Sequence, residues 1–200
     1  IKTIWLIVEH IRRGSFEPLG YEISFEEKGD FPPIELELPD GEKIRLVGKI
    51  DRVDILKTDD GTYLRVIDYK SGQKKFKLAD IYYGLQIQLI VYLDAIWENV
   101  GKKLKQPVLP GGILYFRIQD PMIKGSPELL EEEIEKQIMK AFKMKGLILA
   151  DVSLIREMDH QIEGDSLIIP ARINKKDGSI GKSSSVATKE QFEILRQYTK

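Results

Sequence analysis

An α/β fold, with a mixed β-sheet flanked by helices, is what this 200-residue sequence predicts. Three observations carry that expectation. Four β-type runs precede residue 70, at 21–27, 34–38, 44–56 and 62–69. A long apolar helical pattern over 78–97 follows them, and a short apolar run at 113–118 suits a strand buried on both faces. Strands, a long helix, one strand and then further helices is the order of a mixed sheet with helices on its faces.

Each element has its own justification. Ile1, Ile4, Trp5, Val8 and Ile11 recur at helical spacing, and Gly14 is a plausible stop. Tyr21, Ile23 and Phe25 alternate with Glu22, Ser24 and Glu26, the period of a strand. Phe31-Pro32-Pro33 breaks the chain, and Pro39-Asp40-Gly41 closes the run at 34–38 with a turn. Thr58-Asp59-Asp60-Gly61 joins the runs at 44–56 and 62–69 as a hairpin, because Asp-Gly supplies the positive φ of a tight turn. Gly48, inside the first run, marks a bulge or a close approach. Residues 71–75 read as flexible, 78–97 as a helix of about five turns, and 101–112 as a basic Pro/Gly-bearing loop.

Ser126-Pro127-Glu128 has the cap, the first-turn proline and the early acid of a helix start. That helix is expected to run to Lys145, with Gly146 closing it. Residues 151–158 suggest a short helix, 167–173 a strand, 175–185 a polar loop, and Thr188 opens a final helix carrying Phe192, Leu195 and Tyr198. The expected organisation is one domain over 1–200, part of a larger chain. Its core lies at about 20–120 and a helical extension at about 126–200.

Composition narrows the partners only locally. The apolar share of 42% and charged share of 32% are ordinary, and the net charge is −1. Residues 21–60 hold six Lys or Arg against twelve Asp or Glu, whereas 65–77 hold five against one. Lys74, Lys75 and Lys77 in that basic stretch are candidate nucleic-acid contacts; a solvated surface loop has the same composition. No cysteine is present, which excludes disulfides and Cys-ligated metal within this chain and accords with a cytoplasmic location. No apolar run nears the roughly 20 residues that cross a bilayer, so no membrane association is expected.

The chemistry centres on residues 48–70. Asp51 lies in the first strand of the hairpin, and Asp68-Tyr69-Lys70 ends the second, with Asp68 and Lys70 on one face and Tyr69 opposite. Two carboxylates and the Tyr69 carbonyl can hold Mg²⁺ or Mn²⁺ with open positions for water and a phosphate. Lys70 then orients the water or offsets transition-state charge. A surface salt bridge uses the same residues. Asp54, three residues on, falls on the opposite face and reads as a structural ion pair. Gln88 and Tyr92, four apart on one helix face, can meet a carboxylate or a nucleic-acid backbone. Glu22 can face the site. His10 and His160 lack ligand partners at useful spacing, and Gly181-Lys182-Ser183 is a poor P-loop ending.

Gly48-Lys49-Ile50-Asp51-Arg52-Val53-Asp54, Ile67-Asp68-Tyr69-Lys70-Ser71 and Gln88-Leu89-Ile90-Val91-Tyr92 together resemble the motifs of the RecB-like branch of the PD-(D/E)XK nucleases. The run from Asp68 to Gln88, with Ala79-Asp80-Ile81-Tyr82-Tyr83-Gly84-Leu85 inside it, narrows the likeness to the AddB type, the nuclease domain of helicase/deoxyribonuclease B subunits, and Pro110-Gly111-Gly112, Asp120-Pro121-Met122 and Lys143-Met144-Lys145-Gly146 extend it. The resemblance implies a restriction-endonuclease-like core with Asp51 and Asp68 on the metal, Lys70 catalytic, and Gln88 and Tyr92 supporting. It implies an exonuclease acting on single-stranded DNA, with the A subunit of the helicase/nuclease as heterodimer partner, and a role in double-strand break repair by recombination. The family's upstream histidine and its 4Fe-4S cysteines have no counterpart in this chain. The competing readings are an inactive or truncated nuclease fold that binds DNA or serves as a scaffold, and a RecB-like exonuclease of phage or CRISPR-associated type.

Overall fold

The computed structural model describes residues 2–37, 40–72, 76–119, 121 and 130–197. Helix α1 (Lys2–Arg12) precedes strands β1 (Glu17–Phe25), β2 (Ile34–Glu37), β3 (Lys43–Leu46), β4 (Gly48–Thr58) and β5 (Gly61–Lys70). Helices α2 (Leu78–Tyr82) and α3 (Gln88–Gly101) lead to β6 (Val108–Arg117). Then come α4 (Glu131–Phe142), β7 (Lys145–Leu149), α5 (Val152–Met158), β8 (Gly164–Asp165), β9 (Arg172–Ile173), β10 (Val186–Ala187) and α6 (Lys189–Gln197). Among the described residues the main sheet has the order β1-β4-β5-β6-β7-β10, and β2–β3 and β8–β9 form small separate hairpins. The β5–β6 and β7–β10 pairs are parallel and the others antiparallel, so the sheet is mixed as expected.

The parallel β5–β6 pair requires a crossover, which α2 and α3 supply. Helix α3 turns Leu89, Ile90, Leu93, Ile96 and Val100 inward, and it packs on β5 and β6. Leu64, Val66, Ile113 and Leu114 of those strands have no exposed surface. β5 is therefore a central strand, paired on both sides, and its last residues carry the Asp-Tyr-Lys triplet.

The structure corrects several expectations. The run 44–56 is two strands: β3 pairs with β2, β4 pairs with β1, and the exposed Val47 lies between them. Both halves carry β-forming residues, so only the change of partner divides them. The helix expected over 78–97 is broken at residues 83–87. There Gly84 adopts φ +74° and the Asp80 carbonyl accepts the N–H groups of Leu85 and Gln86 at 2.7 and 3.2 Å. The Gln86 amide also bonds the Asp80 carboxylate at 2.8 Å, which closes the turn. Strand β6 begins at Val108, inside the stretch expected to be a loop, because pairing with β5 extends it. Residues 126–200 are not only helical, since they supply β7 and β10 to the main sheet. Gly146 does not close a helix but sits inside β7, at φ +151°, where a Cβ would run into the Ile113 carbonyl oxygen of β6. Of the strand expected over 167–173, only β9 forms. The expected helix start at Ser126, together with Asp120, Met122 and Tyr198, lies outside the described residues.

Two buried ionic clusters tie distant segments together. Asp54, with no exposed surface, accepts from Arg52 Nε at 2.6 Å and from Arg65 Nε and Nη2 at 3.1 and 2.6 Å. Phe16 lies under the Arg65 guanidinium at 4.4 Å and Tyr21 near that of Arg52 at 5.6 Å. Burial lowers the Arg65 pKa; it opposes the charge on Arg52 as well, but Asp54 raises that group above its ordinary value. Arg13 and Ser166 both donate to the fully buried Asp159, joining the end of α1 to the segment after α5. His160 belongs to the same structural contact, with its ring nitrogen 2.8 Å from Ser15 Oγ, and the His10 side chain lies outside what the structure describes. No described helix is long and apolar enough to cross a membrane.

Removing one member of a buried charge cluster leaves the rest uncompensated. Asp54→Ala is expected to destabilise the fold by about 3–5 kcal/mol, whereas Lys49→Ala at the exposed Lys49–Glu22 pair changes it by less than about 1 kcal/mol. Urea denaturation midpoints check both, and an Asp54→Ala midpoint equal to that of the parent would contradict the assigned role.

Candidate active site

The site forms where β4 and β5 separate. Their antiparallel register runs from Thr58 opposite Gly61 to Arg52 opposite Ile67. One step further sets Asp51 level with Asp68, and there a side chain takes over: the Tyr69 N–H donates to Asp51 Oδ2 at 2.6 Å. Beyond the fork β5 stays in the sheet through β6, with Asp68 opposite Tyr115 and Lys70 opposite Arg117. The Lys70 ammonium lies 2.5 Å from Asp68 Oδ2. Asp68 is buried, while Asp51 and Lys70 are half-buried and open to a solvent-borne substrate.

The Tyr69 side chain points to the other face, packing edge-on against Phe116 with ring centres 5.9 Å apart and bonding toward Arg52. Asp54 also belongs to that face. The structure thus separates the two aspartates of the Asp51-x-x-Asp54 spacing, one to the fork and one to the buried arginines.

Around the fork lie groups of graded polarity. Tyr115 sits beside Asp68 on β6, with Lys70 Nζ 5.8 Å from its ring centre. Burial first, and the Asp68 charge second, push the Tyr115 hydroxyl up to about 12, so it stays protonated and neutral. Arg117, level with Lys70, is a residue that sequence reasoning misses. Its Nε is buried and has no hydrogen-bond partner among the described residues. Its signal is its place in a parallel register, which only the β5–β6 pairing reveals.

Gln88 and Tyr92 meet as expected at the start of α3, with the Gln88 amide donating to the Tyr92 hydroxyl at 2.9 Å. That hydroxyl lies 3.5 Å from where a Cβ on Gly48 would stand. Gly48 is three residues before Asp51, about 10 Å along the strand. Gly48 opens β4 and forms no bulge there. Glu22, level with Asp51 across the β1–β4 register, has φ +51° and gives its carboxylate to Lys49 at 3.1 Å, so it is engaged at the surface. Lys77 is exposed at the N-terminal boundary of α2. Lys74 and Lys75 lie outside the described residues.

The donor set fits a hard divalent cation. Two carboxylate residues stand level across a strand fork, and the Tyr69 carbonyl leaves the backbone toward the same edge as its Asp51-bound N–H. Among the described residues no cluster of three or more His, Cys, Asp or Glu exists to form an all-protein cage. Mg²⁺, which keeps several waters and takes one or two carboxylates, suits so sparse a set.

Residues 2–200 match the PD-(D/E)XK nuclease superfamily. The chain is 64% identical over its whole length to the B subunit of an ATP-dependent helicase/deoxyribonuclease from Acetivibrio thermocellus. It is 62% identical to the protein of that name in Ruminiclostridium cellulolyticum and 58% to that in Clostridium novyi. In each case the match covers 100% of this chain but 17–18% of the relative, so the chain spans about a sixth of their length.

The Tyr115 hydroxyl reports the charge of its neighbour. Because the carboxylate raises its pKa, Asp68→Asn should move the Tyr115 titration down toward the ordinary phenol, yet leave it above about 10, since burial is the larger cause. Ring-carbon NMR of labelled tyrosine, assigned with Tyr115→Phe, checks the sign; an unmoved or raised midpoint would place Asp68 elsewhere.

Proposed function

The chain belongs to the PD-(D/E)XK nuclease superfamily, and from that premise we propose that it is a metal-dependent deoxyribonuclease domain that hydrolyses phosphodiester bonds of single-stranded DNA. The observation that carries the reading is the convergence, at one strand fork, of the Asp51 carboxylate, the Tyr69 backbone and the Asp68–Lys70 pair. Asp51, Asp68 and the Tyr69 carbonyl are the groups that would hold Mg²⁺ or Mn²⁺. When bound, the ion supplies Lewis-acid polarisation of a phosphoryl oxygen and a more acidic water.

The protein residues do the rest. Asp68 holds the Lys70 ammonium at the fork, where a compact charge stabilises the extra negative charge on a phosphorane-like transition state. Arg117, beside Lys70 on β6, presents a guanidinium to the same phosphate or the next one. Asp51 positions the Tyr69 backbone by accepting its N–H, so one carboxylate both shapes and serves the site. Tyr115 stays neutral and adds no repulsion to an incoming phosphate. Gln88 and Tyr92 form an uncharged wall at the start of α3, and Lys77 adds a cation at the rim.

The names of the relatives support placing this domain in the B subunit of an ATP-dependent helicase/deoxyribonuclease; the same reading pairs it with the A subunit of that helicase/nuclease and sets it to work on DNA breaks in the cytoplasm. A helicase delivers single strands, and a nuclease beside it would receive them without unpairing bases itself.

The test is Mg²⁺-dependent cleavage of a single-stranded oligonucleotide by the full-length protein. Asp68→Ala and Lys70→Ala are each expected to lower the rate at least about 100-fold while single-strand binding falls only slightly. Cleavage at the parent rate by both variants would refute the assignment. Undiminished DNA binding by a parent protein that cleaves nothing would favour a scaffold instead.

A further inference from the structure

Four neighbouring strands set four residues in one row across the face that carries the site. Asp51 on β4 is level with Asp68 on β5, one step past the Arg52–Ile67 pair. Asp68 is in register with Tyr115 on β6, and Tyr115 with Lys145 on β7. Partners level across a ladder project to the same face, so Lys145 stands on the side of Asp68, two strand spacings or about 10 Å away. Lys145 is exposed and makes no ion pair among the described residues. The chain leading into it, from Lys136 to Lys145, holds four lysines and no acid. Burial first, and the Lys140 charge second, lower the Lys145 pKa. Burial likewise lowers that of Lys143, with Lys145 and Lys140 adding to it and Asp165 and Asp159 opposing. Helix α4 opens with Glu131, Glu132 and Glu133 and carries Lys140 in its last turn, the order that suits its dipole. That accounts for Lys140 but not for Lys145, which lies in a strand beside like charge.

We propose that Lys145 binds a backbone phosphate of the DNA strand next to the phosphate at the fork, and that Lys140 continues this path along the end of α4. The inference rests on the nuclease reading above and deepens it by giving the substrate strand a direction across the sheet. Lys145 contributes binding and no chemistry. Charge argues for the occupant. Like charges gathered without a carboxylate partner repel one another, and a polyanion relieves that repulsion. Position argues the same way. The row starts at the two aspartates, and Tyr115, which separates Asp68 from Lys145, is neutral, so it neither neutralises the lysine nor repels a phosphate. Arg117, two residues past Tyr115 on the same face, borders the row on the side of Lys70. Lysine also suits a strand that must advance. Its ammonium is a compact point charge that holds a phosphate without reading a base.

Salt dependence tests the path. Full-length protein is titrated with fluorescein-labelled single-stranded oligonucleotides of two unrelated sequences, with Ca²⁺ in place of Mg²⁺, over a range of salt concentrations. Each lost phosphate contact lowers the slope of log affinity against log salt by about 0.7 on a single strand. Lys145→Gln is expected to lower the slope by that step and to weaken binding to both sequences alike. Adding Lys140→Gln should lower it by a second, similar step. Lys57→Gln removes the same charge at the far end of β4, beside the hairpin turn, and should leave the slope unchanged. All three lysines are exposed, so the fold tolerates each exchange. A slope unmoved by Lys145→Gln, or lowered as much by Lys57→Gln, would overturn the contact, and a slope unmoved by the second change would overturn its extension along α4. Cleavage of the same strands by the parent protein in Mg²⁺ tells the two readings apart. Cleavage with unmoved slopes sinks the path alone, and lowered slopes without cleavage leave the path standing and sink the nuclease reading.

Discussion

The site depends on one hydrogen bond that is not part of any backbone ladder. At the end of the β4–β5 pairing, the Tyr69 N–H is satisfied by the Asp51 carboxylate instead of a β4 carbonyl. A backbone carbonyl there would keep the strands paired and the site shut. A side chain lets β4 and β5 diverge while leaving no buried donor unpaired, a loss that costs about 1–3 kcal/mol. The strands need another attachment to survive that fork, and the opposite face provides it. Asp54 of β4 grips Arg52 of its own strand and Arg65 of β5, three residues before Asp68. One face of the hairpin is riveted by charge so that the other can open to water.

What could be read from residues alone follows from that arrangement. The hairpin is legible because Asp59-Asp60-Gly61 has its own turn chemistry, and Asp68-x-Lys70 because strand alternation puts both side chains on one face. Gln88 and Tyr92 are legible as a pair because helix spacing joins them even after the predicted long helix is shortened. The division at Val47 is illegible, because which partner a β-type run chooses is decided by the whole sheet and not by propensity. β7 is hidden for a related reason. It is short and begins Lys145-Gly146, residues that mark a helix end unless a neighbouring strand presses on the glycine. Arg117 has no local signature, since only a parallel register sets it beside Lys70.

The β2–β3 hairpin separates two clefts of opposite character. On the side of Gln88 and Tyr92 the lining is neutral and largely apolar. On the other side, a larger cleft of about 790 Å³ is lined by Glu27, Glu35, Glu37, Asp94 and Glu98, with Arg45 and Lys102 as the opposing charges. A polyanion is repelled from that acidic side over roughly a Debye length of 8 Å. On the nuclease reading proposed above, that repulsion would let a chain of net charge −1 still direct DNA. Lys70 and Arg117, by contrast, stand level where β5 and β6 end, and Lys77 is exposed where α2 begins.

Rigidity at the fork comes from the distance in sequence over which the sheet is closed. β5 is flanked by β4 on one side and β6 on the other, and β6 is in turn held by β7, whose residues come some 75 positions after Lys70. The segment that supplies β7 is anchored at its far end by Asp159, which Arg13 reaches from the start of the chain. Catalytic groups placed by a central strand lose little freedom when substrate binds, because their backbone is already ordered on both edges. By that argument the carboxy-terminal third, which contributes none of the assigned chemistry, determines how accurately Asp68 and Lys70 are held. Past the fork β4 keeps β1 as its one sheet neighbour among the described residues, with the buried Asp54 cluster behind it, so Asp51 is the less restrained of the two carboxylates.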